Sequence, residues 1–378
     1  METSEENQSS LSELRSEVRS LDREILRLIG KRLDTSKRIG EAKGKLNLPI
    51  RDFKVEVEVL ARARKAAEEF CYDPQVAERV VEILISSAVQ TQVEHQAPRT
   101  QTGEKQVLLV GGLGRMGRWL DKFIASQGHS VHICDPNVTD EPGRPGFHSL
   151  EQAAAQSWDA VILATPLGGT IEAFRAALLL PGKPLIFDIA SLKGELAVEM
   201  PAAVRAGHRV ASIHPMFAPG ASLLAGRTVL ICDAGCPEAT ISAEEFFKGT
   251  AASLFRLDLA EHDRFMSVLL GLSHAVNLLF GRSLDLMGIT FGELGKIAST
   301  TFSKQAQTAA EVSQENPVLY HEIQHLNPHT RSVYEVLERA LQELRLGSLD
   351  VDQSGFLALM NSNRSYFFPN ETAEPNVQ

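Results

Sequence analysis

Three sets of residues in this chain have the types and spacing that chemistry requires. The first is glycine: four apolar residues, Val107-Leu-Leu-Val110, run straight into Gly112-x-Gly114-x-x-Gly117. Gly112 permits a tight turn, Gly114 lets the backbone approach a pyrophosphate, and Gly117 lets a helix pack on the strand. A second apolar run, Ser130-Val-His-Ile-Cys-Asp135, ends on an acid some 20 positions further on, where a dinucleotide presents its ribose hydroxyls. Asp135 would accept those hydroxyls and repel a 2′-phosphate, which favours NAD over NADP. Gly112, Leu113, Gly114, Arg115, Met116, Gly117, Asp135 and Thr165, the last at the end of another apolar run, are the candidate cofactor-binding residues.

The second set centres on His214, which follows the apolar run Arg209–Ile213 and precedes Pro215. A neutral imidazole there could accept a hydroxyl proton as hydride leaves the same carbon. The third set is cationic. Arg32 and Lys43 lie eleven positions apart, about 20° in helical phase, so they share a helix face. Arg15 lies seventeen positions before Arg32, about 100° away, and is expected to serve a partner's pocket in an intertwined dimer. Spacing alone equally allows a solvated charged face.

The elements that position these residues follow from periodicity. Residues 11–46 keep apolar positions at i, i+3 and i+4 (Leu11, Leu14, Val18, Leu21, Ile25, Leu28) and predict one helix of about 50 Å. Leu48-Pro49 ends it. A second helix is expected from Asp52 to Phe70, and a third opens at Asp73-Pro74. Such a set cannot bury its own stripes well, so a helical dimer is expected. Residues 94–105 lack periodicity and mark a linker. Beyond them, apolar runs alternate with helical patterns: strands at Ala160–Ala164, Leu185–Ile189, Arg209–Ile213 and Thr228–Cys232, with helices at Leu150–Gln156 and Thr170–Leu179 between them. That alternation predicts a parallel sheet covered on both faces, with ligands beyond the carboxyl ends of its strands. Gly112–Gly117, Thr165, Ser191 and His214 all fall at such ends. From about Glu261 the pattern is helical. The expected fold class is α/β plus all-α: a helical N-terminal domain (1–93), a linker (94–105), a Rossmann dinucleotide-binding domain (106–258), a helical substrate or dimerisation domain (259–365) and a polar tail (366–378).

Composition narrows the class further. The chain has 378 residues, ample for several cores, and a formal charge of −10, which argues against nucleic acid or a membrane surface as partner. The polar, acidic start is unlike a signal peptide, and no uninterrupted apolar run approaches a membrane span. Cys71, Cys134, Cys232 and Cys236 form no CxxC pair and are expected to be reduced thiols of a cytoplasmic protein. His321-Glu-Ile-Gln-His325 matches the HExxH zinc pattern, but with no evident third ligand it is taken as surface or interface histidines, and no metal is expected.

Two sets of motifs in one order point to a family. The run Leu11-x-x-Leu-Arg15, Lys31-Arg32, Glu41-Ala-Lys43, Pro49-Ile-Arg-Asp52, Glu56 and Gln92 resembles the all-helical chorismate mutases. Gly111-Gly-Leu-Gly-Arg-Met-Gly-Arg118, Asp188-Ile-Ala-Ser-Leu-Lys193 and His214-Pro-Met-Phe-Ala-Pro219 resemble the prephenate dehydrogenases. The chain is similar, in domain order, to the bifunctional fusions of the two. The resemblance implies conversion of chorismate to prephenate, then NAD-dependent oxidative decarboxylation to 4-hydroxyphenylpyruvate, with tyrosine as a candidate feedback inhibitor and a homodimer as the assembly. It assigns Arg15 (across the dimer) and Arg32 to substrate carboxylates, Lys43 and Gln92 to the ether oxygen, and Asp52 and Glu56 to the surroundings of the substrate hydroxyl. It makes His214 the residue polarising the 4-hydroxyl, Ser191 its hydrogen-bonding partner near the nicotinamide, and His274 a second histidine in the helical domain. Three positions depart from the family: Val55 stands for an arginine, Ala88 for a serine, and Glu311 for a carboxylate-binding arginine. Two rival readings remain at this point. One is a β-hydroxyacid dehydrogenase; the other is a dehydrogenase, for prephenate or arogenate, whose N-terminal helices only dimerise or regulate.

Overall fold

The computed structural model describes residues 2–46, 53–94, 104–139, 146–221, 224, 226–250 and 252–369. The N-terminal helix α1 spans Glu2–Lys45, α2 Phe53–Glu69 and α3 Pro74–Glu94. The helix α1 begins well before the predicted start, because the polar first residues continue the helix without adding to its apolar stripe. At α3 the Asp73 carboxylate accepts the Gln75 N–H at 2.9 Å, and Pro74 occupies the first turn, where its missing N–H has no helical partner to lose. Leu60 of α2 and Ile85 of α3 are buried against Val59, Val81 and Val89. By contrast Leu11, Leu14, Val18, Leu21, Ile25 and Leu28 of α1 are about half exposed within the single chain. An amphipathic stripe of that length left uncovered is the expected signature of a face meant for another surface.

The sheet has seven strands in the order β2-β1-β3-β4-β5-β6-β7. These are β1 Gln106–Val110, β2 Ser130–Cys134, β3 Ala160–Leu163, β4 Leu185–Asp188, β5 Arg209–Pro215, β6 Thr228–Asp233 and β7 Ser253–Asp258. Helices α4 Arg115–Ser126, α5 Leu150–Ala153, α6 Thr170–Ala177, α7 Leu196–Arg205 and α8 Pro237–Glu244 intervene. Alternate residues of β1 divide between two cores: Val107 and Leu109 pack with Phe123, Ile162 and Phe187, whereas Leu108 and Val110 pack with Phe174, Ile186 and Met200. Burial on both faces explains why these strands are unbroken apolar runs.

The sheet differs from the predicted one in two ways. It is parallel except at β5 and β6, which pair antiparallel, His214 opposite Leu230. The strand β7, which had no strand prediction, pairs parallel with β6 at the sheet edge. Its residues are mostly exposed, with Phe255 and Arg256 among them, so it carries no apolar signature. Among the described residues, 192–194 and 260–369 form a second compact unit. Its helices are α9 His262–Met266, a π turn Ser267–Leu272, α10 Ser273–Leu286, α11 Phe291–Lys296, α12 Thr300–Ser313, α13 Pro317–Leu326, α14 Thr330–Leu349 and α15 Ser354–Phe367. The extra residue of the π turn frees a carbonyl, and Gln324 Nε2 donates to Gly271 O at 2.8 Å.

Candidate functional site

The glycine turn is fixed by contacts that allow no side chain. Gly111 has φ +76°, and a Cβ there would lie 2.7 Å from Ala164 O. A Cβ at Gly112 would enter the Ile133 side chain at 2.6 Å, and one at Gly117 would strike Gly111 O and come within 2.7 Å of Gly112 Cα. The turn closes through Gly114 N–H to Gly111 O at 3.1 Å, and α4 begins with Arg118 N–H to Gly114 O at 2.9 Å. Arg115, Met116 and Gly117 make the first turn of α4, where backbone N–H groups and the positive end of the dipole favour an anion. A pyrophosphate therefore fits the cradle these residues form.

Asp135 is 8% exposed at the end of β2. Its Oδ2 accepts Leu113 N–H at 3.2 Å and its Oδ1 accepts Asn137 N–H at 3.1 Å, so the carboxylate is tied to the glycine turn itself. The preceding Cys134 thiol is pushed up to about 11 by burial and then by the neighbouring Asp135, so it stays protonated at neutral pH. All four cysteines are free thiols. Thr165 follows β3 and donates its hydroxyl to Thr170 Oγ1 at 3.1 Å. The neighbours β1, β2 and β3 run parallel, with β1 central, so Gly111–Gly117, Asp135 and Thr165 gather where strand order switches direction.

Strand register carries the edge further. Asp188 of β4 pairs with Ser212 of β5. Ser191 leaves β4 three residues later and His214 lies two residues beyond Ser212, so both sit at the carboxyl ends of adjacent parallel strands. Asp188 is fully buried and its Oδ2 accepts Ala190 N–H at 2.8 Å, which bends the chain just before Ser191. His214 is 3% exposed and lies within the strand rather than after it.

His274 belongs to the second unit, on α10. Its ring stacks on Tyr320 with centroids 4.0 Å apart and planes at 18°, and its Nδ1 has no hydrogen-bond partner. Burial pushes its pKa down, against a smaller upward pull from Glu315, so the ring is held neutral. Glu311 is exposed on α12 and accepts from Gln307 Nε2 at 3.0 Å; Lys304 is exposed on the same helix. Arg331 is solvent-facing and donates to Glu335 at 3.2 Å, and His329 precedes α14. His321 and His325 stack on each other at 5.3 Å. No group of three potential metal ligands occurs among the described residues.

A groove of 570 Å³ between the N-terminal helices brings together residues far apart in sequence. Arg32 and Lys43 of α1 and Glu56 of α2 line it, and so do Val55 and Ala88, two of the positions that depart from the family. Glu56 is 8% exposed. Arg32 is half-buried, its Nη1 is shut away from solvent without a hydrogen-bond partner, and burial lowers its pKa. A buried guanidinium nitrogen without a hydrogen-bond partner is energetically costly, and Arg32 carries it at the wall of a groove lined by other cations. Lys31, quoted from the sequence only as part of a motif and given no role, lines the same groove, as does Arg62, which was not singled out from the sequence. Arg62 lies seven positions beyond Val55, two turns along the same face of α2, and that spacing was the available signal. Arg15 is exposed on α1 and does not line the groove of its own chain. Gln92 lies on α3, with its side chain outside the described residues, as is Asp52 altogether.

One stretch bears on the sequence expectation about membranes. The continuous helical run His262–Leu286 is long and apolar enough, by length and composition, to cross a bilayer. The charged and polar residues His262, Asp263, Arg264, His274, Arg282 and Asp285 interrupt it, so it shows no unbroken apolar run. Its exposed Val268, Leu269, Val276 and Leu279 form an uncovered apolar surface.

Fold and site together define a protein of three parts: a Rossmann-type nucleotide-binding sheet, a helical unit that follows it in sequence, and a preceding helical module whose groove is lined by cations. Comparison with known proteins resolves the class. Residues 14–93 match chorismate mutase type II, residues 126–255 the nucleotide-binding domain of prephenate dehydrogenase, and residues 258–361 the dimerization domain of prephenate dehydrogenase. The T-protein of Enterobacter agglomerans is 26% identical over 363 residues, covering 95% of this chain and 93% of that one. A chorismate mutase of Methanocaldococcus jannaschii is 33% identical over 75 residues, 20% of this chain and 76% of that protein. The fold is also that of prephenate dehydrogenase from Aquifex aeolicus, solved with hydroxyphenyl propionate and NAD+: TM-score 0.54, 18% identity, 71% of this chain and all of that one. The chain belongs to the bifunctional chorismate mutase/prephenate dehydrogenase family.

Proposed function

We propose that the chain performs two consecutive steps of tyrosine biosynthesis, rearranging chorismate to prephenate and then oxidising prephenate to 4-hydroxyphenylpyruvate with loss of CO₂. The observation that carries the first step is the groove in which Arg32, Lys43 and Glu56 meet. Chorismate is a dianion whose rearrangement needs no nucleophile; it needs the side chain folded over the ring and stabilisation of charge developing on the ether oxygen. Arg32, with its unpaired Nη1, takes a carboxylate, and Lys43 donates to the ether oxygen. Glu56 and Asp52 flank the substrate hydroxyl, Gln92 adds a second donor, and Arg15 reaches the groove of a second copy. The uncovered stripe of α1 supports that intertwined pairing, and the match of residues 258–361 to a dimerization domain supports a homodimer.

For the second step Gly112–Gly117 hold the pyrophosphate of NAD, Asp135 its ribose hydroxyls, and Thr165 borders the same switch point. Bound NAD supplies the hydride acceptor. His214 accepts the proton of the substrate 4-hydroxyl, with Ser191 as hydrogen-bonding partner, and His274 is the second histidine that the family resemblance assigns to the site. Aromatisation of the ring makes the step effectively irreversible. Tyrosine remains a candidate inhibitor on the strength of the family resemblance alone.

The test gives the purified protein chorismate with and without NAD+, following chorismate loss and NADH formation separately. The reading expects chorismate loss in both and NADH only with NAD+. NADH from added prephenate but no chorismate loss would reduce the N-terminal helices to a dimerising module.

A further inference from the structure

Within the helical unit, the residues that immediately follow Ser191 are held by one carboxylate. Asp263 Oδ1 accepts the backbone N–H of Lys193 at 2.8 Å, and Oδ2 accepts that of Gly194 at 2.8 Å. His262 Nδ1 lies 2.8 Å from the same Oδ1, and Asn327 Nδ2 donates to the Asp263 backbone carbonyl at 2.9 Å. Two successive amides can face one carboxylate because the chain bends at Gly194, whose φ is +42°, a left-handed value that suits glycine. His262 is fully buried, and Lys193, Asn327 and Asp263 are each less than a tenth exposed. Burial alone would raise the Asp263 pKa, but the hydrogen bonds from His262, Gly194 and Lys193 hold it below its usual value, so the carboxyl is an anion. Charge-assisted bonds of this kind, shielded from water, are among the strongest local restraints a backbone can receive.

We propose that Asp263 is a positioning residue for the dehydrogenase reaction: by clamping the amides of Lys193 and Gly194 it fixes the segment that carries Ser191, one residue upstream of Leu192. The inference rests on the reading that places Ser191 beside the reacting hydroxyl. Its physical content is that the Ser191 backbone, bent on one side by Asp188 and anchored on the other by Asp263, has little freedom left. A backbone so held limits where the Ser191 hydroxyl can be presented. Misplacing a positioning group by about 1 Å can lower turnover about a hundredfold.

The experiment uses the full chain, Asp263→Asn and Asp263→Glu, with three readouts: NADH formation from prephenate, chorismate consumption, and hydrogen exchange resolved at Lys193 and Gly194. The amide of Asp263→Asn turns a donor toward one of the two N–H groups and breaks half the clamp. Expected for this variant are a kcat for NADH formation lowered about tenfold or more, a prephenate KM within about threefold of wild type, and chorismate consumption within about twofold. Exchange at Lys193 or Gly194 should accelerate about tenfold or more. A variant with faster exchange but unchanged kcat shows a clamp without catalytic consequence and overturns the proposal. So does unchanged exchange, or a raised KM with kcat intact. If Asp263→Asn loses both activities, Asp263→Glu is judged by the same criteria, and loss of both activities in it too makes Asp263 a folding residue and ends the proposal. Failure of the wild-type chain to make NADH from prephenate would instead sink the assignment of Ser191, while exchange at Lys193 and Gly194 would still report on the clamp.

Discussion

Replacing Arg32 with alanine separates stability from function in a way the groove makes calculable. In the folded chain the Arg32 guanidinium is half-buried, and its Nη1 is shut away from solvent without a hydrogen-bond partner from the protein. A buried polar group left unpaired destabilises by about 1–3 kcal/mol. Truncation relieves that penalty and forfeits some packing of the aliphatic stem, so the thermal midpoint should hold or rise slightly. Catalysis moves the other way. A buried, hydrogen-bonded charge pair loses about 2–5 kcal/mol when one partner is removed. Arg32 is only half-buried, so about 3 kcal/mol is the appropriate figure, and at about 1.4 kcal/mol per tenfold this lowers kcat/KM for chorismate about a hundredfold. The assay follows chorismate loss in initial rates and NADH formation from prephenate by the same preparation, the second reaction serving as control for folding. Chorismate turnover within about threefold of wild type would refute the assignment of Arg32 to a substrate carboxylate. A fall in both reactions together would show that the loss is structural rather than local.

The nucleotide site permits a similar separation. Gly117→Ala places a Cβ against Gly111 O and 2.7 Å from Gly112 Cα, both backbone atoms that cannot swing aside; NADH formation should fall at least about tenfold with chorismate consumption retained, measured by initial rates on both substrates. Asp135→Ala removes the acid that accepts Leu113 N–H at 3.2 Å; the ratio of kcat/KM for NAD to that for NADP should fall about tenfold or more, and an unchanged ratio would show that specificity lies elsewhere. His274 yields a pH prediction. Its folded pKa is depressed by burial, so the unfolded chain binds the proton first as pH falls through about 6.5. Stability is therefore undiminished above that value and declines as pH drops toward the lower folded pKa. Thermal midpoints recorded from pH 7.5 to 5.5 should fall less steeply in His274→Gln than in wild type, and parallel curves would exclude His274 as a contributor.

What was legible in the sequence was mostly local. Gly112–Gly117 and Asp135 obey spacings fixed by a strand, a turn and a helix start, and every contact that forbids a side chain at Gly117 comes from within six residues. Arg32 and Lys43 meet at the groove because a straight helix converts eleven residues into nearly the same face. The illegible features depend on partners that no periodicity announces. The strand β7 escaped because an exposed edge strand needs no apolar alternation. The antiparallel pairing of β5 with β6 escaped because two buried strands look alike whichever way they run. Asp263 lies 70 residues from the amide of Lys193 that it accepts, and on a helical segment an acid beside a histidine gives no sign of where its carboxylate points.

The two proposed reactions place different demands on the residues that carry them. Where the family resemblance expects an arginine and a serine the groove has Val55 and Ala88, and Lys31, Arg32, Lys43 and Arg62 line it. A reaction that demands only a folded dianion and a stabilised oxygen can draw its field from cations at several positions, because Coulomb attraction falls off gradually with distance. Arg62, two turns from Val55 on one face of α2, is placed to supply part of what Val55 lacks, so Val55→Arg should raise chorismate turnover most in a chain that also carries Arg62→Ala. Proton transfer allows no such redistribution. It requires one basic atom within hydrogen-bond reach of one hydroxyl, and on the proposed assignment β5 presents that atom at His214, where a shift of one residue along the strand would turn the side chain to the opposite face of the sheet. On the proposed assignments, the rearrangement can draw on cations at several positions of the groove, whereas the proton transfer depends on one basic atom, that of His214.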